Sequence, residues 1–230
     1  MALTFDDGPH PASTPRLLDI LGEHGAHATF FVLGKAVARY PDIVQRASLE
    51  GHAIGNHSWD HAALGLISGR ERRSQIRACE RAVAPYGQRL LRPPYGDQSI
   101  ASRLDARWLG YEVIIWKQVA VDWLDHDAEW MAKRIVDKAR PGSIVLFHDA
   151  LYHTIEPQYA DREPVLGAVD LILERLSDRY HFVTVPELLR YGRPQRRNWY
   201  RRNDPSWLNA LQSQDGHIRQ YAMAGGRGDR

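Results

Sequence analysis

The sequence has 230 residues, with 30 lysines and arginines against 28 aspartates and glutamates, a net charge of +2, and 43% hydrophobic residues. This length and composition suit one domain with a sizeable core plus a short extension. The chain has no run of eighteen apolar residues, so a transmembrane segment is not expected. Its single cysteine, Cys79, excludes an internal disulfide.

The first predicted strand runs into two adjacent carboxylates. Residues 4–9 read TFDDGP, an apolar approach followed by Asp6, Asp7 and a Gly-Pro pair that stops the strand. Because successive side chains of a strand point to opposite faces, the two aspartates can have different tasks, one holding a metal and the other moving a proton. Asp-Gly is also ordinary turn chemistry, so this motif alone leaves a purely structural interpretation open.

A second motif offers nitrogen ligands. It follows a predicted strand at 28–32 and a predicted helix at 41–50, and it reads HSWDH from His57 to His61. Histidines at i and i+4 lie on one face of a helical turn, and with one aspartate they form a set that leaves metal positions open for water and substrate. The zinc-protease motif requires glutamate after the first histidine, and Ser58 stands there, so that interpretation fails.

Three further motifs follow the next predicted elements. A predicted helix at 68–84, with Cys79 on its core face, precedes the motif RPPYGD at 92–97. The prolines stiffen this segment, so Arg92 on it suits a bidentate grip on a carboxylate. A helix at 98–109 and a strand at 111–116 precede Asp122-Trp123. A helix at 129–139 and a buried strand precede LFHD at 146–149, which places His148 at a strand end.

The remaining elements complete an alternation of strands and helices, which predicts a parallel sheet or barrel. They are a helix at 164–176, a strand at 181–184 and a short helix at 186–189. The intervening loop at 150–163 carries Tyr152, His153 and Tyr159. These rings could stack on sugars, but a solvated connector is the favoured interpretation.

The five ordered motifs resemble those of polysaccharide deacetylases of the NodB-homology type (carbohydrate esterase family 4), over roughly residues 2 to 191. The resemblance implies an α/β fold, a distorted (β/α) barrel, with a catalytic domain at 1–191. It also implies metal-dependent removal of N-acetyl groups from N-acetylglucosamine-containing chitin oligosaccharide or peptidoglycan. Two alternatives stay open, an O-acetyl xylan esterase with the same site and a catalytically inactive carbohydrate-binding module.

The same resemblance implies the metal-binding and proton-transfer residues. Asp7, His57 and His61 match the ligands of one divalent ion, with zinc expected and cobalt or another divalent ion as alternatives. Asp6 matches the catalytic base, and His148 matches the general acid.

It further implies a supporting set of residues. Arg92 matches the arginine that holds the base, and Asp122 the aspartate that supports the acid. Tyr95 matches a residue whose backbone N–H helps bind the oxyanion, while Trp123 and Leu146 match walls of the acetate pocket. The chain departs from the family at Val119, where an aspartate usually stands, and this could loosen the support of the acid.

Residues 192–230 are predicted to form a basic extension of unassigned function. From Arg193 onward it holds eight arginines against three aspartates. A solvated or packed extension is favoured over contact with acidic polymers or membranes, and no nucleic-acid partner is expected. Met1 stands directly on the first strand without a signal peptide. We therefore expect a cytoplasmic protein as the sequence stands, or a secreted or cell-envelope one if an N-terminal extension is missing. Oligomeric state is left open.

Overall fold

A parallel sheet forms the centre of the molecule. The computed structural model describes residues 1–152, 160–192 and 194. Its strands are β1 (Ala2–Asp6), β2 (Ala28–Val32), β3 (Ala53–Asn56), β4 (Gly87–Leu91), β5 (Glu112–Val113), β6 (Gln118–Val119) and β7 (Ile144–His148). Within the described ranges they form one seven-stranded sheet in the order β5-β4-β3-β2-β1-β7-β6, with parallel pairings throughout.

Helices lie between all successive strands except β5 and β6, as the pairing of neighbouring parallel strands requires. They are α1 (Ser13–Glu23), α2 (Gly34–Val37), α3 (Pro41–Leu49), α4 (Gly69–Val83), α5 (Ile100–Trp108), α6 (Ala128–Asp137), α7 (Glu163–Leu176) and α8 (Val185–Tyr191). The ends of the sheet, β5 and β6, do not pair with each other in the described chain, so it is an incomplete barrel. The predicted α/β fold, a distorted (β/α) barrel, is confirmed.

The core lies against the central strands. β1 and β2 are buried along their whole length, as expected for interior strands of a parallel sheet covered on both faces. The Phe5 ring stacks on Phe30 and Phe147 at centroid distances of 5.3 and 5.8 Å. This packing fixes β1, β2 and β7 side by side, and two of these strands end in candidate site residues.

Most predicted elements are present with small shifts of their ends. The strand predicted at 181–184 is wrong. That segment runs beside the sheet, with the Val183 N–H donating to the Met1 carbonyl (2.9 Å) and the Phe182 carbonyl accepting from His27 (3.1 Å), but it forms no strand. The strand predicted at 111–116 is confined to Glu112–Val113. Cys79 is buried on α4, as predicted.

Some expectations concern positions outside the described ranges. They include His153, Tyr159 and the basic extension apart from Gly192 and Pro194. In the part of the chain that the structure covers, none of the helices combines the length and apolar character needed to cross a bilayer.

Candidate active site and metal centre

The predicted site residues meet at the carboxyl end of the sheet. Asp6 ends β1 and His148 ends β7, and the two are direct register partners on neighbouring strands. His57 comes immediately after β3 and Arg92 immediately after β4, while Asp122 lies three residues beyond β6. Because carboxyl ends of parallel strands share one edge of the sheet, motifs far apart in sequence converge there.

Three of these residues form a cluster with metal-ligand geometry. Asp7, His57 and His61 are buried, and their ligand atoms all lie within 4.8 Å of one another. Asp7 Oδ1 is 3.5 Å from His57 Nε2 and 3.3 Å from His61 Nε2. The other ring nitrogen of His57, Nδ1, lies 2.7 Å from the Arg92 carbonyl oxygen. A hydrogen bond from Nδ1–H to this carbonyl leaves the Nε2 lone pair for a cation, the usual arrangement of metal-binding histidines.

The two histidines lie on a loop, so the expected helical turn is wrong. Ser58 and His61 have φ values of 70° and 65°, outside the right-handed helical region. The Ser58 hydroxyl accepts the His61 N–H (3.0 Å), and the Asn56 side-chain oxygen accepts the Ser58 N–H (2.9 Å). Non-glycine residues with positive φ are costly and concentrate at functional sites. A loop, and not a helical turn, therefore brings the Nε2 atoms of both histidines close to the Asp7 carboxylate.

The cluster fits a divalent cation. Asp7 Oδ1 is buried, and no described group donates a hydrogen bond to it, whereas Oδ2 accepts the Tyr152 backbone N–H at 2.9 Å. Burial raises the pKa of the Asp7 carboxyl, with smaller opposing contributions from His148 and His57. A buried carboxylate oxygen is costly without a partner, and a cation held with two imidazoles supplies one. The set of one carboxylate and two imidazoles suits zinc and other first-row ions.

Asp6 is held by a buried arginine. Arg92 Nη1 donates to Asp6 Oδ1 at 2.8 Å and to the Thr4 hydroxyl at 2.7 Å. The expected bidentate grip is therefore wrong, because one nitrogen serves both partners. Arg92 is fully buried, with its guanidinium carbon 4.1 Å from the Phe31 ring centroid. Burial lowers the pKa of Arg92, and the charge and hydrogen bond of Asp6 oppose that change.

His148 is coupled to Asp122. Its Nδ1 lies 3.0 Å from Asp122 Oδ1, and its backbone N–H donates to Oδ2 at 2.8 Å. Burial alone would lower the pKa of His148, but the charge and hydrogen bond of Asp122, with smaller contributions from Asp7 and Asp6, raise it to about 9. This arrangement favours a protonated imidazole, which can act as an acid.

The predicted pocket residues surround these groups. The Trp123 ring meets His148 edge-on at 5.7 Å. Leu146 is buried in β7 two residues before His148, on the same face of that strand. Tyr95 has a φ of 60°, and its ring meets His61 edge-on at 4.4 Å. All ten predicted site residues are therefore at one end of the sheet.

Sequence reasoning missed several residues that hold the site. Thr4 shares the Arg92 guanidinium with Asp6. Tyr152, interpreted as part of a connector, stacks its ring on His61 at 4.9 Å and donates its backbone N–H to Asp7. Asp149 accepts from the Gly8 N–H (3.2 Å) and the Thr14 hydroxyl (2.5 Å), so it fixes the turn after Asp7. The position of Asp149 directly after His148 was the sequence signal for the contacts of Asp149.

Comparison with known proteins agrees with this geometry. The family model described as polysaccharide deacetylase matches residues 1–114. The peptidoglycan-N-acetylmuramic acid deacetylase PdaC of Bacillus subtilis is 38% identical over 192 residues, which cover 82% of this chain and 38% of that protein. A peptidoglycan-N-acetylglucosamine deacetylase of Bacillus cereus is 36% identical over 196 residues, covering 83% of this chain and 88% of the relative. The chain thus spans well under half of PdaC but most of the second relative.

A solved structure supports the same relationship. The family 4 acetyl xylan esterase of Clostridium thermocellum, solved with a cobalt ion, has a TM-score of 0.73 and 32% identity, covering 83% of this chain and 90% of the esterase. Both the sequence and the fold of this chain are therefore similar to those of these relatives over most of its length. The chain belongs to the polysaccharide deacetylase family with NodB homology, carbohydrate esterase family 4.

Proposed function

We propose that this protein removes N-acetyl groups from N-acetylglucosamine-containing carbohydrate of the peptidoglycan or chitin-oligosaccharide type, with one divalent ion, zinc first. The observation that carries the proposal is the buried Asp7–His57–His61 cluster with Asp6 and His148 beside it on paired strand ends. Peptidoglycan deacetylases among the relatives supply the substrate class.

Amide hydrolysis needs an activated water and a stabilised oxyanion. A bound divalent cation supplies both, lowering the pKa of water and polarising the acyl oxygen. Asp6, whose Oδ2 lies 3.8 Å from His57 Nε2, takes the proton from the attacking water. Its other oxygen is bonded to Arg92, so the carboxylate is held in one orientation while the carbon–oxygen bond forms.

The departing amine needs a proton as the carbon–nitrogen bond breaks. His148 donates it from Nε2, since Nδ1 is bonded to Asp122. A well-placed acid or base contributes on the order of 100- to 10,000-fold, so this pair accounts for a large part of the rate. Tyr95 contributes its backbone N–H to the developing oxyanion, and Trp123 and Leu146 enclose the acetyl group.

An O-acetyl esterase is the second candidate. The similarity to an acetyl xylan esterase favours it, and an ester is the easier bond to cleave with the same groups. A catalytically inactive binding module is less favoured, because such a module has no chemical need for the complete set of Asp6, Asp7, His57, His61 and His148.

The test is acetate release from N-acetylglucosamine oligomers, peptidoglycan and acetylated xylan by metal-stripped and zinc-reloaded protein. Zinc-dependent release from the amino sugars supports the proposal. Release from xylan alone supports the esterase. Zinc-loaded protein that binds the oligomers and releases no acetate from any substrate supports the binding module and overturns the proposal.

A further inference from the structure

We propose that Arg162 is a positioning residue for the general acid, because it clamps the strained turn that carries Asp122. The inference rests on the proposed hydrolysis, in which His148 acts as the acid. Arg162 lies forty residues beyond Asp122, at the start of α7, and belongs to none of the five sequence motifs.

The turn before Asp122 is strained. Val121 has a φ of 63°, the left-handed region that a β-branched residue rarely occupies. Such a conformation is costly and persists only where surrounding contacts enforce it. The turn therefore needs an external contact to keep the Asp122 carboxylate in its observed orientation.

Arg162 provides that contact. Its Nη1 donates to the Asp122 carbonyl oxygen at 3.0 Å and lies 3.5 Å from Asp122 Oδ2. Its Nε donates to the Asp161 carbonyl at 3.0 Å, which fixes the direction of the guanidinium. Arg162 is only 6% exposed, and a buried guanidinium is retained only when it is well bonded.

The anchor behind Arg162 is rigid. α7 follows directly, and its buried face includes Val165, Leu166 and Val169 in the main core. The clamp thus connects that core, through Arg162 and Asp122, to the His148 ring.

It also supplies a second contact for Asp122 in a chain where Val119 replaces the usual family aspartate. Val119 lies in β6, where its backbone carbonyl accepts from Arg134 Nε at 3.0 Å.

The kinetic test compares Arg162→Met with wild type on two substrates. On an N-acetylglucosamine oligomer, kcat should fall about 10- to 100-fold at nearly unchanged KM, because a misplaced acid impairs proton donation to the amine. On 4-nitrophenyl acetate the loss should be about threefold or less, because nitrophenolate departs without a proton and the acid contributes little to that step. Equal losses on both substrates, or none, would overturn the proposal.

Three further variants separate clamping from general stability. Arg175→Met, an exposed arginine on the same helix paired with Glu129, should behave as wild type. Arg162→Lys should recover part of kcat, because its ammonium can reach the Asp122 carbonyl. Val121→Gly added to Arg162→Met should also recover part, because glycine adopts positive φ without strain. Absence of recovery in the double variant would overturn the strain argument.

A second readout does not depend on turnover. The Nδ1 proton shared by His148 and Asp122 should give a downfield proton resonance in the zinc-loaded protein. This resonance should disappear or shift in Arg162→Met, change less in Arg162→Lys, and return when Val121→Gly is added to Arg162→Met. If wild-type protein binds zinc and releases no acetate, the proposed function fails while this resonance still decides about Arg162. An unchanged resonance in Arg162→Met would overturn the clamp.

Discussion

Two neighbouring aspartates are assigned opposite tasks, and their surroundings explain the difference. Asp6 is the last residue of β1 and is bonded to Arg92, whereas Asp7 lies beyond the strand at a φ of 75° and faces both histidines. Arg92 therefore gives Asp6 a positively charged partner that does not depend on a metal. Among the described residues no arginine is bonded to Asp7, so a cation is the natural partner for its buried Oδ1.

The first prediction separates these tasks. Asp6→Asn should keep bound zinc near one equivalent and lose at least about 100-fold in kcat, because the amide still accepts from Arg92 but cannot take a proton. Metal analysis and acetate release measure the two effects. The matched control is Asp7→Asn, which should lose zinc as well as activity. Loss of zinc from Asp6→Asn would refute the division of tasks.

At the scale of single residues, the sequence predicted which residues belong to the site better than it predicted their hydrogen-bond partners. The paired aspartates and the histidines could be predicted from strand ends and ligand chemistry, whereas the roles of the supporting residues were implied by the resemblance to the family. Thr4 and Arg162 could not, because they act through bonds across 88 and 40 residues whose existence depends on the curvature of the sheet. The bidentate geometry expected for Arg92 was wrong for the same reason, since the position of Thr4 redirects one nitrogen.

At the scale of elements, the short helix α2 supports the histidine loop. The Gly34 and Lys35 N–H groups donate to the Ser58 and Trp59 carbonyls at 3.0 and 2.9 Å. A Cβ at Gly34 would lie 2.6 Å from the Trp59 ring and 2.7 Å from the Cys79 Cα. The close approach of α2 to α4 and to this loop therefore depends on glycine.

The second prediction tests that approach. Gly34→Ala should lower the free energy of unfolding by roughly 1–3 kcal/mol, because backbone of α4 would have to move. Gly22→Ala on α1 is the control, since its Cβ would meet nothing within 4 Å, and it should be neutral or stabilising by up to about 1 kcal/mol. Urea unfolding of both variants measures the contrast. Equal stability of the two would contradict the packing argument.

The third prediction concerns the opposite end of β3. His52 is buried, and its Nδ1 accepts the Ala28 N–H at 3.1 Å, which requires an unprotonated nitrogen. Burial, with a smaller contribution from His27, lowers the pKa of His52 to about 4. As the pH falls below 6.5, His52 becomes protonated in the unfolded chain, whereas in the folded protein it becomes protonated only near pH 4. Stability is therefore lost on acidification.

The size of this effect follows from the shift. Between pH 7.5 and 5, wild-type protein should lose about 2 kcal/mol more unfolding free energy than His52→Gln, both measured metal-free in urea. Comparing the two proteins cancels the contribution of the other histidines. Identical pH slopes would show that His52 is not the buried neutral base that its contacts require.

Elements were predictable wherever apolar periodicity was strong. α7 starts one residue from its predicted start because its apolar face is continuous. The prediction of a helical turn at the two histidines was wrong because i, i+4 spacing is equally compatible with a loop. In this loop, hydrogen bonds to the Asn56 and Ser58 side chains replace those of a helical turn. Residues 181–184 have strand composition, but α8 begins at Val185, and the backbone bonds of the segment run to Met1 and His27, the residues just before β1 and β2.

For the molecule as a whole, the proposed metal joins separate parts of the sheet. Asp7 follows β1, while His57 and His61 follow β3, and β2 lies between these two strands. The unfolded chain holds no such arrangement of ligands. A cation bound there should stabilise the folded domain as well as supply chemistry.

The last prediction measures that linkage. Zinc at 100 times its dissociation constant should raise the free energy of unfolding by about 2.7 kcal/mol. For a chain of this size that corresponds to a rise in Tm of about 5 to 10 °C, which chelator should reverse. Magnesium should have a smaller effect, because it prefers oxygen ligands and two of the three donors are imidazoles. His61→Ala should bind zinc weakly and lose most of the shift, since a carboxylate and one imidazole remain. A full shift in that variant would place the metal elsewhere and remove the basis for the site at the carboxyl end of β1.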